Sequence, residues 1–244
     1  MKRIKLIIAY DGTAYNGWQL QPGKPTIEAR LNKALSELLR EEITVTGASR
    51  TDSGVHALGN VAVFDTDTSI PAEKICPAVN IRLPEDIRVQ SSVEVPSDFH
   101  PRRVTSRKTY EYHILNRKVA LPTQRLYASY VYYTLDTARM QEAANYLVGE
   151  HDFKSFCSVK TQATDTVRTI HSLTVQRMGD HIVLSITGSG FLYNMVRIIT
   201  GTLLEVGRGM YPPERVAEIL RGSDRALAGP TAPARGLTLI NIEY

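Results

Sequence analysis

The stretch Ala48-Ser-Arg-Thr-Asp-Ser-Gly-Val-His-Ala57 places a cation, a carboxylate, hydroxyls, a glycine and a histidine between two apolar runs. The flanking runs, Ile43-Thr-Val-Thr46 and Asn60-Val-Ala-Val-Phe64, are rich in β-branched residues, so we predict a strand on each side. The motif is then a loop that presents Asp52 from the end of a sheet, a place where catalytic side chains are commonly held.

The triplet Asp52-Ser-Gly54 has two interpretations. It is typical of a turn, because Asp bonds to nearby backbone N–H groups and Gly accepts a positive φ. Arg50, two residues earlier, favours a chemical role, because a guanidinium close to Asp52 would keep the carboxylate ionised and offer donors to phosphate or base edges. An ionised aspartate held by arginine can act as a nucleophile or as a base.

The first hundred residues predict six elements in the order strand, helix, strand, strand, helix, strand. Thr26 can cap the first helix, in which Ile27, Leu31, Leu35 and Leu38 recur at helical spacing. Besides that helix and the two strands around the motif, the elements are the strand Ile4–Tyr10, the helix Ala72–Asn80 and the strand Ile87–Val95. This order is that of a ferredoxin-like split β-α-β fold.

The composition of the chain changes after Pro96. Four cations fall within the seven positions that end at Lys108, namely Arg102, Arg103, Arg107 and Lys108. A solvated linker is one interpretation. The segment also leads into a strand with Tyr110 and Tyr112 on one face, and cations beside exposed rings are typical of nucleic-acid surfaces. We therefore predict a domain boundary here, with an N-terminal half of residues 1–103 and a C-terminal half of residues 104–244.

The second half repeats the layout in diverged form, so we predict an α+β fold with two ferredoxin-like α/β halves. Its predicted elements are strands Tyr110–Leu115 and Ser129–Leu135, a helix from Asp136 to Gly149, a hairpin of Val167–Arg177 and His181–Thr187, helices Phe191–Val206 and Glu214–Leu220, and a strand Leu237–Ile242. Such repeats would place their sheets side by side, with an open face lined by Arg50, Asp52 and Tyr110.

Composition permits a polyanionic partner and excludes several other classes. Lys and Arg number 29 against 25 Asp and Glu, a net charge of +4 in 244 residues, which suits nucleic acid without requiring it. Cys76 and Cys157 are isolated, and neither His56 nor His100 has a second ligand at metal spacing, so we predict no disulfide and no metal site. No apolar run approaches about 18 residues and no signal peptide is recognisable, so we expect a cytoplasmic protein without membrane contact.

The motif Arg50-Thr-Asp-Ser-Gly-Val-His-Ala57 resembles the catalytic motif of the tRNA pseudouridine synthase A family. That motif more usually reads Gly-Arg-Thr-Asp-Ala-Gly-Val-His, so Ser49 and Ser53 are small departures from it. The likeness spans essentially the whole chain, through Tyr10–Gln19, Asp98–Arg102, Tyr110–Tyr112, Met195–Arg197 and Gly236–Leu237.

The resemblance implies a fold and an activity. The fold is two ferredoxin-like halves with a continuous mixed, mainly antiparallel sheet and the catalytic cleft between them. The activity is the isomerisation of uridines 38, 39 and 40 in the anticodon stem-loop of tRNA, which requires no cofactor. Asp52 would be the catalytic residue, and whether it adds to C6, adds to C1′ or abstracts a sugar proton stays open.

The resemblance also assigns roles to other side chains. Arg50 would assist flipping of the target nucleotide, Tyr110 would stack on its base, Arg197 would pair with Asp52, and Leu237 would form an apolar wall. Contacts to tRNA phosphates would come from Arg102, Arg103, Lys118 and Lys160.

Family members act as homodimers, so we expect one here, with tRNA as the partner and no other protein implied. Two rival functions remain. One is a non-catalytic RNA-binding protein or RNA chaperone on the same scaffold. The other is an Asp-dependent phosphate-ester hydrolase, which would need a metal-binding set of carboxylates that the sequence does not offer.

Overall fold

The computed structural model describes residues 1–159, 161 and 163–244. It contains two compact units, Met1–Ser106 together with Leu239–Tyr244, and Arg107–Thr238. The described residues form ten strands and five α-helices, which confirms the predicted α+β class.

The first unit contains the six predicted elements in the predicted order. They are β1 (Lys2–Tyr10), α1 (Ile27–Leu39), β2 (Thr46–Gly47), β3 (His56–Thr66), α2 (Ala72–Asn80) and β4 (Ile87–Val95). The strand order is β4-β1-β3-β2 with all neighbours antiparallel. This is the ferredoxin-like arrangement that the element order predicts.

Helix α1 forms where its cap and its apolar period require it. The Thr26 side chain accepts a hydrogen bond from the N–H of Ala29, which satisfies one otherwise unpaired donor of the first turn. Ile27, Leu31 and Leu35 are completely buried. The helix therefore packs its apolar face inward, as its sequence period predicts.

The strand predicted at Ile43–Thr46 is wrong in its extent, because β2 contains only two residues. The N–H of Ile43 donates to the Ser36 hydroxyl at 2.9 Å, and the N–H of Val45 donates to Asn32 Oδ1 at 2.9 Å. These side chains of α1 take donors that a longer strand would give to its neighbour. Strand β3 begins earlier than predicted, so His56 already belongs to it.

The second unit carries a similar series of elements with additions. They are β5 (Arg107–Asn116), β6 (Ser129–Val131), α3 (Thr137–Asn145), β7 (Gly149–Asp152), β8 (Val167–Met178), β9 (His181–Gly188), α4 (Met195–Gly207) and α5 (Arg215–Gly222). Strand β10 (Leu237–Glu243) follows and crosses the division between the units. The strand order is β5-β9-β8-β7, antiparallel throughout, and β6 lies parallel to β5.

Several predicted bounds in the second unit are wrong for local reasons. The strand predicted to reach Leu135 ends at Val131, because Asn116 Nδ2 donates to the carbonyls of Val131 and Tyr133. Helix α3 ends at Asn145 rather than at Gly149, which instead begins the unpredicted β7.

The start of α4 and the location of two cations also differ from the predictions. Helix α4 begins at Met195 rather than Phe191, because Asn194 has a left-handed backbone with φ +61°. Arg107 and Lys108, which precede the strand predicted to begin at Tyr110, belong to β5. Within the described part of the chain, no helix has the length and apolarity needed to cross a membrane.

Candidate active site

Asp52 lies half-buried in the Asp52 loop (residues 48–55), which connects β2 to β3. The N–H of Val55 donates to the carbonyl of Asp52 at 3.1 Å, and Gly54 has φ +76° at the third position of this turn. The turn interpretation of the triplet is therefore correct as geometry. It leaves the role of the Asp52 side chain open, because a turn also suits a loop that presents a catalytic group.

A second loop, the β1 loop (residues 11–18), holds the Asp52 loop from one side. The carbonyl of Tyr15 accepts from the Ser53 hydroxyl at 3.2 Å and from the N–H of Gly54 at 3.3 Å. The N–H of Trp18 donates to the carbonyl of Thr51 at 3.0 Å. Ser53, a departure from the usual family motif, thus adds a hydrogen bond to this contact.

Gly17 allows the two loops to approach closely. Its φ is +85°, and a Cβ built on it would lie 2.5 Å from the carbonyl oxygen of Thr51. Only glycine meets both conditions without strain or displacement. The conformation of the β1 loop and the position of the Asp52 loop are therefore linked at this residue.

A buried polar network supports the Asp52 loop from below. The hydroxyls of Tyr10 and Thr51 are 2.7 Å apart, and Asn60 Nδ2 donates to the Tyr10 oxygen and to the carbonyl of Ser49, each at 3.1 Å. Asn60 is completely buried and Tyr10 nearly so. Buried groups that are hydrogen-bonded in this way fix one geometry, because any displacement leaves polar atoms unpaired.

His56 ties the end of the Asp52 loop to the β1 loop. Its Nδ1 lies 3.1 Å from the N–H of Gly12 and 3.1 Å from Asp11 Oδ1. The two contacts suit different positions of the ring proton, since Nδ1 accepts from Gly12 when it carries no proton and donates to Asp11 when it carries one. Among the described residues, no group of three or more His, Cys, Asp or Glu side chains could hold a metal ion.

Arg50 presents its side chain at the surface of the same loop, whereas Asp52 is half-buried. The sequence therefore separates an exposed guanidinium from a partly enclosed carboxylate by a single residue, the buried Thr51. This arrangement suits a cation that contacts a large substrate and a carboxylate that acts inside a smaller space.

In the second unit, Tyr110 and Tyr112 share one face of β5, as predicted, but the prediction that their rings are exposed is wrong. Tyr112 is completely buried and Tyr110 is 7% exposed. The Tyr110 ring packs edge-to-face on Phe191, with centroids 5.2 Å apart, and the Tyr112 hydroxyl donates to the carbonyl of Pro233 at 2.8 Å. Burial raises the pKa of Tyr112 to about 12, so this phenol stays neutral.

Arg197, near the start of α4, is held in a fixed direction. Its Nε donates to the carbonyl of Ala232 at 2.8 Å, and its Nη1 donates to Asn194 Oδ1 at 2.8 Å. An isolated arginine on a helix usually faces solvent, but Arg197 is half-buried. Two charge-assisted hydrogen bonds fix the plane of its guanidinium.

Leu237 is the first residue of β10 and is 5% exposed. It directly follows a 3₁₀ turn at Ala234–Gly236. Its side chain is therefore part of the apolar interior.

The predicted phosphate-binding arginines lie on the basic loop (residues 96–106) of the first unit, and both Arg102 and Arg103 are exposed. His100 organises this loop, because its Nδ1 accepts from the N–H of Arg102 at 3.2 Å and its carbonyl accepts from the N–H of Arg103 at 3.0 Å. Burial and the two neighbouring guanidinium charges lower the pKa of His100. A neutral His100 is the form that can accept the Arg102 hydrogen bond.

The basic loop is attached to the sheet of the first unit through Phe99. Arg3 donates to both oxygens of Asp65, at 2.7 and 2.6 Å, and also to the carbonyl of Phe99 at 3.1 Å. The hydrogen bonds from Arg3 hold the pKa of Asp65 below its ordinary value. Tyr244 packs its ring on Phe99 at 5.1 Å and donates its hydroxyl to the carbonyl of Pro101 at 3.0 Å.

Of the last two predicted phosphate contacts, Lys118 lies among the described residues. Lys118 is exposed just after β5, where its carbonyl accepts from the Tyr130 hydroxyl at 2.7 Å. Lys160 lies outside the described residues.

Three supporting residues were not identified from the sequence: Asn194, Asn60 and the hydroxyl-bearing Tyr10. Asn194 combines a left-handed backbone with a hydrogen bond to Arg197, and such strained residues cluster at functional sites. A signal for Asn60 was present, since a polar amide within an apolar strand must find partners when it is buried.

Comparison with known proteins identifies the family to which this chain belongs. The model of the family described as tRNA pseudouridine synthase matches residues 6–102 and 143–244. The chain belongs to this family of enzymes, which are isomerases that convert uridine to pseudouridine in tRNA.

Curated relatives match along the whole chain. A tRNA pseudouridine synthase A of Brevibacillus brevis is 47% identical over 244 residues and covers 100% of both chains. The tRNA pseudouridine synthase A of Bacillus subtilis is 47% identical over 99% of both chains, and that of Caldicellulosiruptor bescii is 44% identical over 100% of both. A solved archaeal box H/ACA sRNP Nop10-Cbf5 complex matches 82% of this chain and 53% of its own at 10% identity and a TM-score of 0.37, which is too distant to bear on function.

Proposed function

We propose that this chain isomerises uridine to pseudouridine at positions 38, 39 and 40 of the anticodon stem-loop of tRNA, with Asp52 as the catalytic carboxylate. The observation that carries the proposal is the family match, which extends across the motif from Arg50 to His56. The geometry of that motif supports it, because the turn at Asp52 is tied to Tyr15, Trp18 and the buried network under Thr51.

The reaction balances without an external group. The N1–C1′ bond of uridine breaks, the base turns, a C5–C1′ bond forms, C5 loses its proton and N1 gains one. No electron is gained or lost overall, so the protein must supply only a carboxylate near the ribose and base, a surface for the detached base and a route for one proton. Asp52 can supply the first, whichever of C6, C1′ or a sugar proton it attacks.

Tyr110 is the proposed surface for the base. Its ring is 7% exposed and is packed by Phe191, so a base that contacts it must occupy an enclosed site. Stacking in such a site stabilises a flipped base by about 1–3 kcal/mol. Leu237, also in the apolar interior, is proposed as a further wall.

Arg197 is the proposed partner of Asp52. The hydrogen bonds that it gives to Asn194 and Ala232 set the direction of its guanidinium before any substrate binds. A preorganised cation can hold a carboxylate in its ionised form without reorganisation during the reaction.

Arg50 is the proposed residue for base flipping. Extrusion of a nucleotide from a helical stack costs a few kcal/mol, and a side chain inserted in its place offsets that cost. The exposed guanidinium of Arg50, one residue from Thr51 and two from Asp52, is long enough to enter RNA while Asp52 stays partly enclosed.

The proposed tRNA contacts outside the motif are phosphate contacts at Arg102, Arg103, Lys118 and Lys160. We also propose a homodimer that acts in the cytoplasm, where its tRNA substrate would be found. These assignments follow from the family, and the exposure of Arg102, Arg103 and Lys118 supports the phosphate contacts.

Incubation of the purified protein with unmodified tRNA and no added cofactor, followed by mapping of pseudouridine, tests the proposal. We expect pseudouridine at positions 38, 39 and 40 wherever uridine occupies them. Binding of tRNA with no pseudouridine at any position would instead support the alternative of a non-catalytic RNA-binding protein or RNA chaperone. Pseudouridine only outside the anticodon stem-loop would contradict the proposed specificity.

A further inference from the structure

A pocket of about 390 Å³ opens at the far end of β5 in the second unit. Its lining includes Arg117, Lys118, Tyr132, Tyr133 and Arg177. Sites of about 300–1,000 Å³ hold small organic ligands, so this Tyr132 pocket has room for a single nucleotide. Three cations and two aromatic rings therefore line one pocket.

The two rings of the pocket have different surroundings. Tyr132 is 70% exposed, although a ring of this size gains free energy when it leaves water. Tyr133 packs edge-to-face against it, with centroids 5.4 Å apart, and is itself covered by the Arg208 guanidinium at 5.7 Å. Tyr132 is therefore in contact with a ring that Arg208 covers, while most of its own surface remains available to a ligand.

The cations of the pocket are fixed to different degrees. Arg177 donates to Asn116 Oδ1 at 2.8 Å and to the carbonyl of Leu135 at 2.9 Å, so its charge is built into the wall. Arg117 lies 3.6 Å from Asp180, a long and solvent-screened ion pair that contributes little to stability.

Lys118 is exposed beside these two arginines. Three positive side chains and the carboxylate of Asp180 give this described set of residues a net charge of +2, and the nearby Arg208 and Glu205 pair with each other. Cations next to an exposed ring match the chemistry of a nucleotide, which joins an anionic phosphate to an apolar, planar base.

The location of the pocket excludes the target uridine as its ligand. Tyr110 and Asn116, a residue of the pocket wall, are six positions apart on the single strand β5. A strand rises about 3.3 Å per residue, so the two residues are roughly 20 Å apart. A nucleotide stacked on Tyr110 cannot also reach Tyr132.

We propose that the Tyr132 pocket binds a second nucleotide of the tRNA, one that is not isomerised. Tyr132 stacks on its base, and Arg117 and Lys118 contact the adjoining phosphates. The proposal rests on the proposed function, because that function supplies tRNA as the ligand, and it extends the single predicted contact at Lys118 to a complete binding site. The pocket contributes to affinity and takes no part in the chemistry.

Two matched pairs of variants test this proposal by tRNA titration and by single-turnover rate at saturating tRNA. Tyr132→Leu keeps apolar bulk but removes the ring, whereas Tyr132→Phe keeps the ring. We expect Tyr132→Leu to raise the Kd for tRNA roughly tenfold, equivalent to ~1.4 kcal/mol, and Tyr132→Phe to leave it unchanged. The single-turnover rate at saturation should stay at the wild-type value in both.

The second pair separates a local contact from net charge. Arg117→Gln and Arg221→Gln each remove one cation, but Arg221 is an exposed residue of α5 that does not line the pocket. We expect Arg117→Gln to lower the slope of log Kd against log salt by about 0.7–0.9, the value for one lost phosphate contact. Arg221→Gln should keep the wild-type slope.

The outcomes separate this proposal from the proposed function. Wild-type affinity in Tyr132→Leu, or equal losses in Tyr132→Leu and Tyr132→Phe, would overturn the stacking role even if the wild-type protein makes pseudouridine. A wild-type protein that binds tRNA through the pocket but makes no pseudouridine would overturn the proposed function alone. Because Tyr132 is exposed, thermal melts of both variants should match the wild type and exclude unfolding as the cause.

Discussion

The hydroxyl of Tyr10, at the end of β1, lies 2.7 Å from the hydroxyl of Thr51, the residue before Asp52. The same Tyr10 oxygen accepts from Asn60 on β3. The paired strands β1 and β3 are therefore connected through the Tyr10 hydroxyl to Thr51, the neighbour of the candidate catalytic residue Asp52.

Substitution of Tyr10 by Phe tests this connection. The variant removes the Tyr10 partner of the Thr51 hydroxyl and one of the two acceptors of Asn60 Nδ2, which keeps its bond to the Ser49 carbonyl. This loss should lower the free energy of unfolding by about 1–3 kcal/mol. We expect single-turnover pseudouridine formation to slow while tRNA affinity is retained, because the motif moves but the basic loop does not. Ser155→Ala is the matched control, since it removes another buried hydroxyl bond, to Ile219, and should destabilise the fold without changing the rate. Equal rates in both variants would show that the network is only structural.

The close approach of the β1 loop gives a second prediction. Gly17 and Gly23 both have positive φ, +85° and +71°, but only at Gly17 would a Cβ meet a neighbouring atom, the Thr51 carbonyl oxygen. Alanine at either position costs about 1–2 kcal/mol of backbone strain. Gly17→Ala should lower the melting temperature further and abolish most activity, whereas Gly23→Ala should lose stability alone. Similar activity in the two variants would contradict the link between the loops.

Asn194 provides a test of Arg197 orientation. Asn194→Gly relieves the left-handed backbone but removes the acceptor for Arg197 Nη1, whereas Asn194→Asp keeps an oxygen at that point. We expect Asn194→Gly to fold normally and to lose turnover, and Asn194→Asp to retain more of it. If the glycine variant has the wild-type rate in steady-state and single-turnover assays, Asn194 does not position Arg197.

The Arg3–Asp65 pair predicts a pH-dependent contribution to stability. The folded pKa of Asp65 is lowered from 3.8, so the carboxylate stabilises the fold above pH 3.8, and this contribution is lost as the pH falls through the folded pKa. Urea unfolding at pH 7 and 5 should show that Asp65→Asn has a free energy of unfolding about 1–2 kcal/mol below that of the wild type. This difference between the two proteins should become smaller at pH 3. Asp67→Asn, at an exposed pair with the N-terminus, should match the wild type. A difference in free energy of unfolding that stays constant down to pH 3 would contradict the lowered pKa of Asp65.

The Asp65→Asn variant also tests how the basic loop is anchored. Arg3 gives its third hydrogen bond to the carbonyl of Phe99, so loss of its Asp65 partner frees the guanidinium to move. We expect tRNA to bind Asp65→Asn somewhat more weakly at pH 7, through Arg102 and Arg103.

Local signals in the sequence predicted much of the first unit. The bounds of α2 and β4 coincide with their predictions, because Pro71 marks the start of α2 and the apolar alternation extends through β4. Strand β2 was predicted too long because two side chains of α1, Ser36 and Asn32, take its backbone donors. Such competition depends on tertiary contacts, which strand propensity does not contain.

The sequence offered candidate site residues but did not show their surroundings. The two-residue period placed Tyr110 and Tyr112 on one face of β5, and it could not show that Tyr112 would bond to Pro233, 121 positions away. Asn194 was missed for the same reason, because its left-handed backbone and its bond to Arg197 appear only in three dimensions.

If the Asp52 carboxylate carries out the chemistry, the variant Asp52→Asn should lose it. Asparagine has nearly the same shape and is an equally good turn residue, but it is a poor nucleophile and base. The measurement is tritium release from C5-labelled uridine in tRNA, made beside a tRNA titration for both proteins. We predict that the variant folds, binds tRNA at least as tightly as the wild type and releases no tritium. Sustained release by the asparagine variant would contradict the assignment of Asp52 as the catalytic residue.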